Sequence, residues 1–332
     1  MTETIPHPRE TFDWLGSDRH EQAFLDALAR GRLHHAWLVV GPSGVGKSTF
    51  AYRAARRLLG AAPDASQGRL GAAADDRVSR QIIGRAHPDL LVLQRDPEDG
   101  KTRRNIPVDE ARGLAEFFSK SPAAAPFRVA IIDTADDLNV SAANALLKTM
   151  EEPPSRGVIF LVSQSPGALL PTIRSRCRRL AVAPPERTLA ASWVATRAGV
   201  DPADAERLLD MARGAPGAAW RLGAAKAFEV AQAAAAVMQA LPGGDAGADL
   251  ALADGFRGPL GGPRFALFFD RLADLVKERI IAGLGAGEAP GRLDAWSRAW
   301  SEMTELKDRT EAINLDRGEA LFVTLSRLRA LG

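Results

Sequence analysis

Cysteine is nearly absent: Cys177 is the only one in 332 residues. A lone thiol excludes an intrachain disulfide and any zinc site built from several thiolates, and it fits a reducing compartment. An excess of charge is missing too. Forty-three Lys plus Arg face 41 Asp plus Glu, a formal +2, so whole-chain electrostatics do not announce nucleic-acid binding and any DNA contact must be local or shared. No apolar run reaches the roughly 18–20 residues of a membrane span. Met1 to Glu10 carries Pro6 and Pro8 and lacks the apolar centre of a signal peptide. Together these absences lead us to expect a soluble, cytoplasmic chain with no membrane partner.

What is present is enough apolar material, 46% of residues, for two or three domains. The first half alternates short apolar runs with amphipathic stretches. That βα rhythm predicts an α/β fold with a mainly parallel sheet covered by helices. The strand candidates are Ala36 to Val40, Leu90 to Leu93, Val129 to Ile132 and Val158 to Val162, all rich in branched or aromatic side chains. Pro184-Pro185 marks a break, beyond which the pattern is helical throughout. Asp201-Pro202 opens a helix with a cap followed by proline, and Gly214 to Gly217 closes it. The expected domains are therefore 1–183, a small helical domain over 184–223, and a helical bundle over 224–332. In the bundle Phe265 to Leu284, Leu293 to Asn314 and Gly318 to Leu331 read as long helices. Glycine-rich Leu241 to Pro263 reads as their connection, and Ala61 to Ala74 as a loop or insertion. Phe265, Phe268, Phe269, Trp296, Trp300 and Phe322 fall at helical spacing and read as core.

The strongest local signal is Gly41-Pro42-Ser43-Gly44-Val45-Gly46-Lys47-Ser48. It follows an apolar strand and precedes a helical stretch from Thr49 to Leu59, the context a phosphate loop needs. Gly41, Gly44 and Gly46 let backbone N–H groups turn inward on a β-phosphate, and the helix N-terminus adds positive dipole. Lys47 then reaches β/γ oxygens, Ser48 holds Mg²⁺ and Thr49 continues the nucleotide-binding turn. The expected cofactors are ATP and Mg²⁺.

Asp133, ending the strand Val129 to Ile132, is the second half of such a site, a carboxylate on the metal side. A helix N-cap is the plainer alternative, since Thr134 to Asn139 is polar and could start a turn. Asp136 and Asp137 read as solvated turn residues. Water activation usually needs a Glu directly after the strand-end acid, but Thr134 stands there and cannot act as a carboxylate base. The chain is thus expected to bind ATP–Mg²⁺ and turn it over slowly or not at all. Lys101, Arg103 and Arg104 are the candidates for backbone contacts to DNA.

Leu33-His34-His35-Ala36-Trp37, the run from Asn144 to Lys148 into Glu151-Glu152-Pro153-Pro154, and Ser175-Arg176-Cys177 together resemble bacterial DNA polymerase III clamp-loader AAA+ subunits, over roughly Phe12 to Arg179. Within that family the departures make the chain most similar to the delta-prime branch. Thr134 replaces the hydrolytic Glu, Gly217 stands where gamma/tau motor subunits carry a sensor Arg, and no long proline-rich tail follows. The four-cysteine zinc module that usually precedes His87-Pro88-Asp89 has lost its thiolates, so no zinc is expected and Ala61 to Arg85 reads as a metal-free insertion.

By this resemblance 1–183 is the AAA+ nucleotide-binding domain, 184–223 a lid and 224–332 an oligomerising collar with some interfacial apolar surface. Arg176 is implied as an arginine finger acting in trans on a neighbour's ATP. Otherwise Arg174, Arg176, Arg178 and Arg179 are a basic surface. Gln164 matches a polar sensor near the γ-phosphate, or equally a strand-end cap. The implied partners are gamma/tau and delta subunits and, through the complex, the sliding clamp and primer-template DNA. Polymerase activity belongs to that holoenzyme, the chain's own ATPase being weak or absent. The alternatives are an ATP-hydrolysing gamma/tau-like motor and a stand-alone nucleotide-binding regulator.

Overall fold

The computed structural model describes residues 5–95, 97–98, 101–102, 105–258 and 260–332, with no side-chain description at 97–98 and 101–102. It divides into two compact units, Met1–Trp220 and Arg221–Gly332.

The first unit holds a parallel sheet. In chain order its elements are α1 (Asp18–Ala29), β1 (Ala36–Val40), α2 (Lys47–Leu58), α3 (Arg77–Ile83) and β2 (Leu90–Gln94), then the two-residue pair β3 (Pro97–Glu98) and β4 (Lys101–Thr102). There follow α4 (Val108–Ser119), β5 (Arg128–Asp133), α5 (Val140–Glu151), β6 (Gly157–Ser163), α6 (Pro171–Ser175) and β7 (Arg178–Ala181). The sheet order is β2-β5-β6-β1-β7, and every pairing in it is parallel.

Both faces are covered, which is why these strands read as continuous apolar runs rather than alternating ones. Successive residues feed opposite cores. Trp37, Val39, Ile131 and Phe160 pack with Phe24 of α1 and Phe50 and Ala54 of α2. Leu38, Val40, Ile132 and Leu161 pack with Leu114 of α4, Leu146 of α5 and Ile173 of α6. At about 25 cal/mol per Å² of apolar area removed from water, this double layer holds the sheet ends in place.

The insertion over 61–85 is fastened to α1 and α2 by a buried ion pair. Glu21 of α1 and Arg53 of α2 form a fully buried ion pair of 2.8 Å. Glu21 also accepts the Leu70 N–H at 3.1 Å, and Arg53 donates to the carbonyls of Gln67 at 2.6 Å and of Phe12. Asp76 caps α3 through the N–H groups of Val78 and Ser79. Among the described residues no group of His, Cys, Asp and Glu could hold a metal ion.

Next come α7 (Arg187–Ala198), α8 (Pro202–Met211) and α9 (Pro216–Ala224), the last of which contains the division between the units. Asp201 caps α8 by accepting the Asp204 N–H. The second unit is helical: α10 (Ala227–Ala240), α11 (Ala246–Gly255), α12 (Gly261–Gly285), α13 (Pro290–Ala312) and α14 (Arg317–Arg329). Its core is aromatic. Phe265, Phe268, Phe269 and Trp296 are buried, with Phe256 edge-on to Phe265 at 5.4 Å. Trp300 is half-buried and Phe322 exposed.

The expected connection over 241–263 is corrected by α11. Asp245 caps it through the Gly247 N–H, and its Asp249 accepts from Arg329 of α14 at 2.7 Å. Tertiary contacts outweigh the weak helix propensity of its glycines. No described helix is long and apolar enough to cross a membrane.

Candidate nucleotide site and a separate arginine

The loop between β1 and α2 leaves the C-terminal end of a central strand. Gly44 and Gly46 take positive φ values of 78° and 100°, a conformation that disfavours a Cβ, and Gly46 is the N-cap of α2. Lys47 is buried, and its Nζ donates to the carbonyls of Gly41 at 2.9 Å and Pro42 at 2.7 Å. Ser48 and Thr49, at the first turn of α2, are half-buried.

Asp133 ends β5, two strands from β1 across β6. Burial raises its carboxyl above the ordinary carboxylate value. The Ser48 hydroxyl donating to it and the Lys47 ammonium nearby oppose that rise, while Asp137 adds to it. Ser48 and Asp133 are therefore brought together, and the N-cap alternative for Asp133 gives way to a side-chain pair across the site. The residue that follows, Thr134, is half-buried and carries no carboxylate. Gln164 follows β6 at the same end of the sheet and is exposed.

Asp136 and Asp137 are not free turn residues. Asp136 accepts from the Ser163 hydroxyl and the Gln164 N–H, both at 2.7 Å, and so ties the end of β6 to the turn after β5. Asp137 pairs with Arg95 at 2.7 Å. This ordered rim of backbone and carboxylate contacts spans 27 or more positions, too far apart for any local pattern to signal.

Two further contacts on the loop went unread in the sequence. The Gly217 N–H of α9 donates to the Gly44 carbonyl at 2.9 Å, and a Cβ at position 217 would stand 2.8 Å from that oxygen. A larger residue there would push α9 off the loop. The Trp14 ring lies on Phe50 at 5.6 Å and beside Gly46, where a Cβ would meet it at 3.2 Å. The glycine-rich phrase Gly214 to Gly217 was a signal for the first contact; an isolated Trp in a polar stretch gave none for the second.

Arg176 lies elsewhere. It is the C-cap of α6, two residues before β7. Because β7 runs parallel to β1 with Trp37 level with Arg178, Arg176 is at the end where β1 begins, whereas the phosphate loop leaves the other end. At roughly 3.3 Å per residue the two are about 20 Å apart along the strands. The guanidinium is about one-third exposed, pairs with Glu151 of α5 at 3.0 Å and donates to the Thr172 carbonyl at 3.1 Å. Arg174, Arg178 and Arg179 are exposed beside it, with Arg178 over the Trp37 ring at 4.9 Å. Cys177 is half-buried against the core, and burial pushes its thiol up to about 12, which leaves little thiolate at neutral pH. Arg103, Arg104 and the Lys101 side chain lie outside the described residues.

His87-Pro88-Asp89 is a fold device. Asp89 is fully buried and accepts the N–H groups of Ala123, Ala124 and Ala125 at 2.8–3.0 Å, with Arg128 at 3.3 Å. Burial alone would raise its carboxyl, but those three N–H groups and the guanidinium hold it below the ordinary range.

A glycine loop between a buried parallel strand and a helix, with Ser48 facing a carboxylate from a nearby strand, defines a phosphate-loop α/β protein of the nucleotide-binding class. The chain belongs to the DNA polymerase III, delta subunit family, whose profile matches residues 16–186. It is 36% identical over 204 residues to DNA polymerase III subunit delta' of Pseudomonas aeruginosa, covering 61% of this chain and 60% of that protein. To the Escherichia coli subunit of the same name it is 32% identical over 211 residues, covering 64% and 60%. DNA polymerase III subunit gamma of Buchnera aphidicola is 33% identical over 170 residues, or 51% of this chain and 44% of that one. The chain thus spans about three fifths of the length of the delta-prime relatives it matches. Its α/β fold with a five-stranded parallel sheet is the fold class expected from the sequence.

Proposed function

We propose that this chain is a delta-prime-like clamp-loader subunit that binds ATP with weak or no hydrolysis and lends Arg176 to the ATP site of a neighbouring motor subunit. The observation that carries the reading is the separation of Arg176 from Lys47 at opposite ends of one parallel sheet. A guanidinium there is out of reach of its own phosphate loop and free to meet another chain's. A bidentate guanidinium offsets charge developing on transferring phosphoryl oxygens, a contribution of about 10³–10⁵ in rate.

The loop itself fits ATP–Mg²⁺ in its donor chemistry. Backbone N–H groups of Gly44 to Ser48 and the Lys47 ammonium would hold phosphates, with Ser48 and Asp133 on the metal side and Gln164 at the strand end beside them. Phosphate oxygens would accept from the Lys47 ammonium in place of the Gly41 and Pro42 carbonyls to which it now donates. Thr134 in the place of a general base favours retention over hydrolysis. The helices over 184–223 would then act as a lid, with Gly217 on the loop, and those over 224–332 as an oligomerising collar. Gamma/tau and delta subunits, the sliding clamp and primer-template DNA are the partners in this reading.

The test is reconstitution with purified gamma/tau and delta subunits. Arg176→Ala should leave assembly intact and lower the ATPase of the mixture at the adjacent motor site by several powers of ten. Failure to assemble, or unchanged ATPase, would reject the reading. The intact phosphate loop favours one other reading, a gamma/tau-like motor. Rapid turnover by the isolated chain, abolished by Lys47→Ala, would establish that instead.

A further inference from the structure

Three consecutive residues ahead of α1, Phe12-Asp13-Trp14, each grip a different part of the first unit. The Phe12 carbonyl accepts from Arg53 of α2, and the Phe12 ring lies against the Arg56 guanidinium at 4.2 Å. The Trp14 ring packs on Phe50 and beside Gly46, and so rests on the phosphate loop. Its Nε1 is buried without a hydrogen-bond partner, which leaves packing alone to hold the ring. Between the two, the Asp13 carboxylate reaches across 180 positions to α7. It accepts the Trp193 Nε1–H at 3.2 Å and pairs with Arg197.

Those two α7 residues are tied in turn to α9, whose residues 216–220 belong to the same unit. Trp193 meets Trp220 edge-on at 5.5 Å, and the Arg197 guanidinium lies 5.7 Å from the Trp193 ring and 5.8 Å from the Trp220 ring. One turn earlier on α9, Gly217 donates its N–H to the Gly44 carbonyl of the phosphate loop at 2.9 Å. A single neutral hydrogen bond shifts an equilibrium by only about two- to tenfold, too little to keep α9 on the loop. The Asp13 contacts reinforce it. A charged acceptor strengthens the bond from Trp193, the aromatic faces add cation–π attraction, and the half-exposed Arg197 pair contributes modestly. Because Asp13 and Trp14 are neighbours in the chain, α7 leaves the loop only by giving up the carboxylate or by lifting Trp14 off Phe50.

We propose that residues 12–14 form a strap that holds α7 and α9 on the phosphate loop and sets the rate at which bound nucleotide leaves. The release rate rests on the nucleotide-holding role proposed for the loop; the grip on α9 does not. With the Asp13 contacts made, Gly217 stays on Gly44 and nucleotide is retained. With them broken, α7 and α9 move off together and the loop opens to solvent. Slow exchange then follows from the strap, independently of the missing carboxylate at Thr134.

The test uses the full chain with Asp13→Ala, Arg197→Ala and the two combined. Before nucleotide is added, the Gly217 amide of Asp13→Ala should exchange its hydrogen about five- to thirtyfold faster than in wild type. The Ile159 amide, bonded within the sheet to the His35 carbonyl at 2.7 Å, should keep its wild-type rate. Release of a fluorescent ADP analogue, chased with excess ADP, should speed up by a similar factor. Arg197→Ala should show a smaller increase, since Trp193 keeps its hold on Asp13. The double variant should fall short of the product of the single effects, because both residues act through one contact. Arg197→Ala alters only a half-exposed side chain and carries the test should Asp13→Ala misfold. Unchanged Gly217 exchange in both single variants would overturn the strap, and faster exchange with unchanged release would overturn its control of nucleotide. A wild-type chain that binds no fluorescent nucleotide would reject the nucleotide reading and the release rate with it, while Gly217 exchange still decides whether the strap holds α9.

Discussion

Asp89 is a single carboxylate that joins three parts of the first unit: the approach to β2, the loop at 123–125 and Arg128 at the start of β5. Its carboxyl is held below the ordinary value of 3.8, against the opposing effect of burial, by the loop's N–H groups and Arg128. A depressed folded value means that the unfolded chain takes up the proton first. The stabilisation is therefore complete above about pH 4 and drains away as pH falls through the lower folded value. Urea unfolding between pH 3 and pH 6 should show stability dropping at the acid end. Asp89→Asn should be less stable than wild type at pH 6 by about 1–3 kcal/mol, the cost of an imperfectly satisfied buried network. Its stability should also vary less below pH 4. Parallel pH profiles for the two proteins would show that Asp89 does not carry the acid sensitivity. The sequence marked His87-Pro88-Asp89 as a motif, but its partners lie 34–39 positions downstream, so its purpose could be read only in space.

Among elements, the 61–85 insertion has the least local reason to be ordered. It has no thiolates; Leu70, Val78 and Ile82 pack into the core, and its polar fastening is the Glu21–Arg53 pair reaching the Leu70 N–H and the Gln67 carbonyl. Removing one partner of a buried pair leaves an uncompensated charge, at a cost of about 3–5 kcal/mol. Glu21→Gln should lower the melting temperature and expose 61–76 to protease at a dose wild type resists, while EDTA leaves wild-type melting unchanged. A chelator-induced drop would show that metal, not this ion pair, holds the insertion. The elements most legible in the sequence were those whose burial is continuous or periodic. β1, β2, β5 and β6 are apolar runs, and α12, α13 and α14 carry long helical patterns. β7 escaped because it is an edge strand reading Arg-Arg-Leu-Ala with only Leu180 buried, and its identity comes from pairing with β1 alone. α11 escaped because glycine content argued for a turn while the Asp249–Arg329 pair and the burial of Ala253 decided for helix. In the site, Gly41 to Ser48 and Asp133 were legible because strand, loop and acid are each contiguous. Trp14 and Asp136 were not, since their contacts cross the chain.

The first unit as a whole has a direction. All strands of its sheet run parallel, so everything built from strand C-termini, Gly41 to Ser48, Asp133 and Gln164, gathers at one end. Everything built from strand N-termini, Arg176 among them, gathers at the other. On the proposed reading, a chain that would receive phosphate at one end and present a guanidinium at the other fits a head-to-tail neighbour, not a face-to-face twin, because each end would seek what the other offers. Arg176 is held in the meantime by Glu151 at 3.0 Å, a half-exposed pair worth little in water and readily exchanged for phosphate oxygens. In the assembly proposed above, the two ends should then fail independently. Lys47→Ala should abolish nucleotide binding by this chain, measured with a fluorescent ATP analogue, and leave kcat at the neighbouring motor site within about twofold. Arg176→Ala should leave that binding constant unchanged and cut the neighbour's kcat by up to about 10³–10⁵. Glu151→Gln should leave both nearly as in wild type, since it removes only the resting partner of the finger. If Arg176→Ala weakened this chain's own nucleotide binding as strongly as Lys47→Ala does, the two ends would be acting on one site. The head-to-tail arrangement would then have to be given up.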